Sequence, residues 1–562
     1  MKNKIFRQFT FIIVYLACFS LFSKAANFSE RVYLQTDKSL YLSGELIWTK
    51  ILVTDINGRL SGISKVGYVE LLDGATAVAQ ARLSLNGGVG DGYLQLPATL
   101  PSGNYRLVGY TRYMRNEGEK IFFEKNLSVV NTFIAPENPI SDKDKQRYSP
   151  IESASVITIS TDKSSYSCRS NGMVKINGLP ADVATMSLSI AGVDLFKDGN
   201  TGDIIDAFDA LGSIAGERET FGEWFMPEYE GPIVTGKLID LSTGETAGND
   251  AVRPLLAVPG KDIKLFGGKI EKNGDVSFFT KHIAGADEVV TVAISPTSAR
   301  YRVDVESPFA THSDKRLPKL SLNPAWGDEL LKRSVGLQVL HSYMADSILR
   351  VIDDKPWFSW EPDWRYNLDE YTRFSTMEEV VIEFVRGVRF RKINGMRRLS
   401  VLTEERQGFT VGNTLALLDG IPITDHEQIF KYDPMKIKRI DVYRGKYLFG
   451  GQMFDGIASF LTYNNDYPGL ELDETTQLFD YLGTQKSTIF YAPSYSSNDE
   501  RSSVVPDYRH TLLWIPEVDL DGKNEISIPF TSSDLTGDFI ITVEGVTKDG
   551  KPLYAIRLIT IM

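Results

Sequence analysis

The sequence has 562 residues, which at the usual size of about 100 to 200 residues per domain predicts about three to five domains. Its 73 acidic residues outnumber its 61 basic ones, and the net charge of −12 argues against nucleic acid as a partner. After the first 25 residues, no stretch reaches the ~18 consecutive apolar residues that a spanning helix needs. We therefore predict no transmembrane segment after residue 25.

Residues 1–25 have the features of a secretory signal peptide. A basic start precedes an apolar run over residues 9–22, and Ser-Lys-Ala at 23–25 fits a signal peptidase site. The chain is therefore predicted to be secreted across the inner membrane. An alternative is lipidation at Cys18, although the residues before it form a poor lipobox. Cys168 is the only other cysteine, so no intramolecular disulfide is expected in the mature chain.

Residues 26–133 are predicted to form a β-sandwich. Apolar and polar residues alternate over 30–45, and later alternating runs are separated by Asp-Gly, Asn-Gly and Pro-Ser-Gly turns. The first run indicates a strand with one buried face, and several short strands at this spacing indicate an antiparallel sandwich. The string Gln-Thr-Asp-Lys at 35–38, with Tyr41 and Gly-Glu at 44–45, resembles the MG2 domain of macroglobulins.

The same string occurs twice in the chain. Ile157–Tyr166 repeats Val32–Tyr41 at an offset of 125 residues and shares Thr-Asp-Lys-Ser-x-Tyr. A second macroglobulin-like sandwich with an irregular insertion is therefore predicted over residues 153–230, after a solvated linker at 134–152. The next segment, 231–310, resembles the small regulatory β-sandwich of carboxypeptidases.

A helix and an aromatic linker are predicted over residues 311–370. Apolar residues at a period of about 3.6 indicate the helix over 327–352. If exposed, the aromatic residues of the linker would suit stacking on sugar rings or a hot spot for a protein partner. The alternative is that they pack against the neighbouring domains. These residues are Trp357, Phe358, Trp360, Trp364 and Tyr366.

A small α+β domain is predicted over residues 371–470. Ser375-x-x-Glu378 forms a capping box for a helix that continues to Phe384. Later positions specify tight turns and close strand approaches, which define a fold and imply no reaction. They are Asp419, Gly420, Pro422, Gly445, Gly450 and Gly456. With the apolar runs around them, they resemble the plug domain of TonB-dependent outer-membrane receptors.

The barrel that follows the plug in those receptors is not expected in this chain. A barrel of about 22 strands needs more than ~220 residues, whereas 92 residues follow Leu470. Residues 471–562 are predicted to be a linker and a C-terminal β unit. The order of parts resembles a family of secreted Gram-negative envelope proteins that combine MG2-like and plug-like domains without a barrel.

The sequence offers little catalytic chemistry. The Cys-x-Glu-Gln motif of thioester macroglobulins is absent at Cys168, so covalent trapping is not expected. The five histidines form neither a His-Glu-x-x-His motif nor a Cys/His cluster. Asp-Leu-Asp-Gly at 519–522 is predicted to be a plain turn and not a calcium loop. We therefore predict no enzymatic activity, cofactor or metal site.

The predicted fold class is mainly β, with tandem macroglobulin- or immunoglobulin-like β-sandwiches and a small α+β plug-like domain. The predicted function is non-enzymatic interaction in the cell envelope, outer-membrane-associated or periplasmic, with an envelope protein such as an outer-membrane β-barrel as partner. One alternative is a glycan-binding accessory of a nutrient-uptake system that uses the aromatic linker. Another is non-covalent protease inhibition by the macroglobulin-like domains.

Overall fold

The computed structural model describes residues 29–134, 140–154, 156–197, 202–211, 224–281, 283–285, 288–352, 361–393, 395–404, 408–410, 413–449, 451–520 and 522–562. The predicted signal peptide and Cys18 lie outside these ranges. The fold class is mainly β, as the alternating sequence patterns predict. The contacts between residues divide the chain into two compact units. One holds residues up to Pro227 with Thr311–Val351 and Thr488–Met562, and the other holds Glu228–Ala310 and Ile352–Ser487.

The strands of the N-terminal half are β1 (Arg31–Thr36), β2 (Leu40–Leu42), β3 (Leu46–Thr54), β4 (Val66–Asp73), β5 (Thr76–Ser84), β6 (Val89–Gln95), β7 (Gly103–Tyr110), β8 (Phe123–Val130), β9 (Ile140–Ser141), β10 (Ser153–Ala154), β11 (Thr158–Thr161), β12 (Ser165–Tyr166), β13 (Asn171–Asn177), β14 (Val183–Gly192), β15 (Ile233–Asp240), β16 (Arg253–Val258), β17 (Lys264–Ile270) and β18 (Asp275–Phe279). Those of the C-terminal half are β19 (Glu288–Ile294), β20 (Tyr301–Val305), β21 (Ser321–Leu322), β22 (Leu349–Val351), β23 (Trp364–Asn367), β24 (Val388–Ile393), β25 (Met396–Thr403), β26 (Gly408–Phe409), β27 (Leu415–Leu418), β28 (Ile421–Ile423), β29 (Ile437–Phe449), β30 (Gln452–Thr462), β31 (Thr476–Asp480), β32 (Thr488–Phe490), β33 (Thr511–Ile515), β34 (Glu525–Thr531), β35 (Gly537–Thr547) and β36 (Pro552–Ile561). The α-helices are α1 (Ile204–Ala210), α2 (Gly327–Ile348), α3 (Met377–Glu383), α4 (His426–Lys431) and α5 (Asn498–Arg501), and the 3-10 turns are Arg112–Glu117, Glu119–Ile121, Pro324–Trp326, Leu368–Glu370 and Pro434–Lys436.

The first sandwich packs the sheet β1-β3-β6 against the sheet β2-β8-β7-β4-β5. Leu34 of β1 lies against Gly109 of β7, where an added Cβ would come within 2.7 Å of its side chain. The prediction of one buried face for β1 is wrong, because all its residues are buried. The second sandwich covers the outer face: the Tyr33 hydroxyl donates to Glu544 Oε2 at 2.7 Å.

The second sandwich is assembled from two distant parts of the chain. Its larger sheet has the order β10-β36-β35-β14-β33 and its smaller sheet has the order β11-β13-β34. The sequence assigned residues 153–230 and 471–562 to separate units, and the structure differs from this division. Among the strands before Gly192, β13 has only β11 as a neighbour and β14 has none. Strand β34 completes the sheet of β13, and β33 and β35 flank β14.

The second unit contains a seven-stranded antiparallel arrangement and an α+β module. The strand order of the first is β20-β15-β18-β17-β16-β19-β31. The α+β module (residues 364–462) has the sheet β23-β29-β30-β27-β28, the hairpin β24–β25 with β26, and the helices α3 and α4. One hydrophobic core joins them, since Leu255 and Val290 of the first pack with Ile440 and Phe460 of the second.

Two helix boundaries differ from those predicted. Helix α2 ends at Ile348, because the following residues form β22 and pair with β32. Helix α3 is capped one residue later than expected: the Thr376 hydroxyl accepts the Glu379 N–H at 3.3 Å and donates to the Glu379 carboxylate at 2.7 Å. The spacing Ser/Thr-x-x-Glu is kept and shifted by one position, but the glutamate accepts the threonine hydroxyl and not the N-cap N–H of a capping box.

The repeated Thr-Asp-Lys-Ser-x-Tyr string folds into the same turn in both sandwiches. Tyr41 donates to Asp37 Oδ1 at 2.7 Å, and Tyr166 donates to Asp162 Oδ1 at 2.7 Å. The surroundings differ. The Asp37 carboxylate is buried and also accepts the Thr511 hydroxyl of β33 at 2.6 Å, whereas Asp162 is exposed. The string is therefore a local turn that the first sandwich also uses as a contact with the second.

We predict that Asp37→Ala lowers the stability of the first unit by about 3 kcal/mol, because it leaves several buried donors without an acceptor. Asp162→Ala is the matched control and should cost much less, since water reaches its turn. Hydrogen exchange of peptides from the two sandwiches under increasing urea would measure both. Equal losses in the two variants would contradict the distinction between a buried and an exposed copy.

Candidate functional site

Two predicted aromatic site residues, Trp364 and Tyr366, lie in strand β23. They pair with Val442 and Ile440 of β29, and both pack against the core of the α+β module. The residue between them, Arg365, is exposed, as expected for alternate positions of a strand. Burial raises the pKa of Tyr366. Both aromatic residues therefore serve packing.

A basic side chain further restricts access to Trp364. The Arg444 guanidinium lies over the indole ring, 4.2 Å from its centroid. Its Nε also donates to Leu402 O at 2.8 Å, which holds the side chain in place. The other three aromatic residues of the predicted set, Trp357, Phe358 and Trp360, lie outside the described residues.

The Asp419-Gly420 pair forms the two-residue turn between β27 and β28. Its residues have φ values of 46° and 83°, which suit the left-handed positions of a tight hairpin turn. The buried Asp419 carboxylate accepts the Thr462 N–H at 2.8 Å, the Thr462 hydroxyl at 2.6 Å and the Tyr467 N–H at 2.8 Å. Pro422 follows in β28 opposite Leu417. This turn therefore fastens the end of β30.

Two further glycines of the predicted motif form a bulge in the β29–β30 hairpin. Tyr443 pairs with Ile457 and Lys446 pairs with Asp455, so Gly445 and its neighbour lie opposite Gly456 alone. Gly456 has a φ of 89°, and an added Cβ would lie 2.8 Å from Val401. Gly450 lies outside the described residues. The bulge marks the point where the hairpin leaves the five-stranded sheet.

Beyond the bulge the hairpin carries an exposed apolar pair that sequence reasoning missed. Leu448 and Met453 lie directly opposite each other and are 64% and 45% exposed. We call these two residues the ribbon tip. Among the described strands, Lys446–Phe449 pairs only with β30. The signal in the sequence was an apolar run on both sides of Gly-Gly, which also fits buried strands.

The cysteine and histidine considered as reactive residues lie in surroundings that indicate a structural role. Cys168 Sγ lies 3.9 Å from Met562 O in a partly exposed position. His426 is buried, accepts the Leu399 N–H at 2.8 Å, and burial lowers its pKa to about 4. No three His, Cys, Asp or Glu side chains come together as a metal site in the described ranges. Within the same ranges, no helix has the length and hydropathy to span a membrane.

A buried histidine attaches the segment Thr311–Leu320 to the first sandwich. His312 Nε2 lies 2.8 Å from Glu70 Oε1, and its Nδ1 lies 3.1 Å from Glu119 Oε1. A neutral imidazole donates only one hydrogen, so two carboxylate partners require the imidazolium form. Burial alone would lower the pKa of His312, but hydrogen bonds and charge from the two glutamates outweigh it and raise this pKa. The Tyr110 hydroxyl also donates to Glu70 Oε1, at 2.6 Å.

No protein-family model and no curated protein matches the sequence. Among solved structures, Escherichia coli alpha-2-macroglobulin activated by porcine elastase is 9% identical with a TM-score of 0.24, over 95% of this chain and 44% of that one. Salmonella alpha-2-macroglobulin reacted with methylamine is 10% identical with a TM-score of 0.24, over 95% and 39%. The Escherichia coli adhesin FdeC is 12% identical with a TM-score of 0.15, over 49% and 62%. The chain thus spans less than half the length of these macroglobulins, and at such TM-scores the likeness determines neither fold nor function.

We predict that the His312 contact makes the first unit more stable in mild acid than in mild alkali. Its stabilisation is fully present below pH ~6.5, the ordinary pKa of an unfolded histidine, and is lost as pH rises through the higher folded-state pKa. Urea unfolding followed by hydrogen exchange of peptides from residues 66–130 would measure this dependence. His312→Gln should remove it, since glutamine carries no titrating charge. An unchanged pH dependence in that variant would contradict the assignment.

Proposed function

We propose that this chain is a non-enzymatic interaction protein of the cell envelope. In this proposal the α+β module docks to an outer-membrane β-barrel or its assembly, and the β-sandwiches act as spacer or adhesive modules. The observation that carries the proposal is the ribbon tip. It places two large apolar side chains in solvent at the end of a hairpin that continues past its own sheet.

The energetics of the ribbon tip favour a binding role. Burying a leucine or methionine side chain contributes about 1.5 to 3 kcal/mol, so a partner that covered both would gain a substantial part of a binding free energy. Folding does not use this area, because Leu448 and Met453 are the exposed positions of their strands while Phe454 is buried. Exposed apolar residues grouped at one point of a surface are typical of interaction sites.

The buried polar groups of the first unit support a structural role for its sandwiches. Lys50 Nζ donates to the Thr185 hydroxyl at 2.7 Å, across the contact between the two sandwiches. Arg333 of helix α2 pairs with Glu45 at 3.0 Å and donates to Leu40 O at 2.8 Å. These charges have fixed partners within packed contacts, which suits rigid spacers.

The two alternatives have less support. Trp364 and Tyr366 face the core of the α+β module, so glycan stacking depends on Trp357, Phe358 and Trp360. Non-covalent protease inhibition has no particular surface in its favour among the described residues. Both stay predictions from the sequence.

We predict that a photoreactive amino acid at position 448 crosslinks the protein to an outer-membrane β-barrel in intact cells. The matched control is position 382, because Ile382 on helix α3 of the same module is 70% exposed. Mass spectrometry of the crosslinked species would identify the partner. Equal crosslinking at the two positions, or crosslinking at neither, would contradict the proposal.

The double variant Leu448→Ser and Met453→Ser should reduce recovery of the same partner by more than about tenfold, since it removes the apolar contact. Its melting temperature should match that of the unmodified chain, because neither side chain belongs to the core. A variant that binds normally would show that the ribbon tip is not the docking element.

A further inference from the structure

The α+β module carries a concentration of positive charge that contrasts with the rest of the chain. Residues 384–403 contain six basic residues and no acidic residue, in a chain whose net charge is −12. This segment begins directly after helix α3 and includes the strands β24 and β25. A run of like charges in a sequence usually forms a solvated surface. The position of each side chain in the hairpin shows whether these residues could form a binding site instead.

The register of the hairpin places like charges directly opposite each other. Arg391 pairs with Arg398, and Arg389 pairs with Ser400. Residues opposite each other in an antiparallel pair share a face, so these four lie together, while Leu399 lies on the other face within the core. Like charges at opposite positions destabilise a strand pair. We call Arg389, Arg391 and Arg398, with Ser400 and Phe409, the arginine face.

The neighbours of the arginine face compensate little of this charge. Arg389 and Arg391 lie over the Phe409 ring, 3.6 Å and 5.9 Å from its centroid, and Arg398 donates to Thr424 O at 3.0 Å. No ion pair joins any of the three arginines to a carboxylate among the described residues. By contrast, Arg397 on the opposite face pairs with Glu427 at 3.0 Å.

Two buried polar atoms on this face also have no hydrogen-bond partner in the described part of the chain. They are Arg389 Nε and Ser400 Oγ, which belong to one cross-strand pair. Leaving buried donors unsatisfied is costly, and such atoms in proteins commonly bind a water molecule or an ion. Both atoms lie below the surface, so the opposed and partly exposed guanidinium groups determine the kind of ligand, which is an oxyanion.

We propose that the arginine face binds a phosphate-bearing ligand. Guanidinium groups present planar pairs of donors that match phosphate oxygens, and positions on this face lie about 5 Å apart across the ladder and about 7 Å apart along a strand. A phosphate group carries more charge than a carboxylate, so it offsets the opposed arginines better. The three arginines are partly exposed, which leaves them accessible. The site is separate from the ribbon tip, and either could be correct without the other.

Pyrophosphate is the first probe, tested on the full chain by calorimetry and thermal unfolding. We expect it to bind and to raise the melting temperature by about 2 °C or more at saturating concentration. The double variant Arg391→Gln and Arg398→Gln should weaken binding by more than about tenfold. Without ligand at low ionic strength, that variant should melt at or above the temperature of the unmodified chain, because it relieves repulsion.

The matched control is Lys392→Gln, since Lys392 is an exposed cation of the same hairpin on the opposite face. It should bind pyrophosphate normally. Absence of pyrophosphate binding to the unmodified chain, or equal weakening in the control and the double variant, would overturn the proposal. Vesicles with and without an anionic phospholipid distinguish the source of the phosphate. Binding to both pyrophosphate and anionic vesicles supports a lipid headgroup, and binding to pyrophosphate alone supports a free phosphate compound.

Discussion

The pairing of β14 with β35, and of β13 with β34, is the constraint on which the first unit depends. These strands lie more than 300 residues apart in sequence, yet they form the centre of the second sandwich. The Gly192 N–H donates to His510 O at 2.9 Å, so the chain leaves this sandwich and returns to it at the same edge. The part of the chain between Gly192 and His510 is therefore inserted between two strands of one sandwich, β14 and β33. The cost of closing such a long loop grows only slowly with its length, so a well-packed sandwich core can sustain it.

This closure also explains which parts of the fold could be predicted from the sequence. The mainly β class, the repeat at an offset of 125 residues and the turns are local, and alternation or turn chemistry indicates them. Pairing between β13 and β34 leaves no local signal, because either strand reads as an ordinary half-buried strand. The burial of both faces of β1 was missed for a related reason: the polar face contains Gln35, which accepts a hydrogen bond from Ser187 of the second sandwich.

The candidate site shows the same division between local and distant information. The Asp419-Gly420 turn follows from residue type, since its backbone needs positive φ. Whether Trp364 faces solvent depends on its pairing with β29, which the sequence does not specify. The ribbon tip and the arginine face were missed because their meaning depends on register. Six basic residues within a segment of twenty suggest a solvated surface. Only the register, which places Arg391 opposite Arg398, indicates a binding site.

The α+β module keeps its folding interactions apart from the groups proposed for binding. Asp419 and the buried residues around Ile440 and Phe460 hold its sheet together, whereas Leu448, Met453 and the arginine face lie outside that core. The bulge at Gly456 separates the ribbon tip from the core, because the β29–β30 hairpin leaves the sheet there. The arginine face belongs to the hairpin β24–β25, whose opposite face carries Leu399 into the core. Changes at either surface are thus weakly coupled to stability, and loss of binding without loss of fold becomes a measurable outcome. A module of this kind can change partners through a few surface positions while its scaffold stays constant.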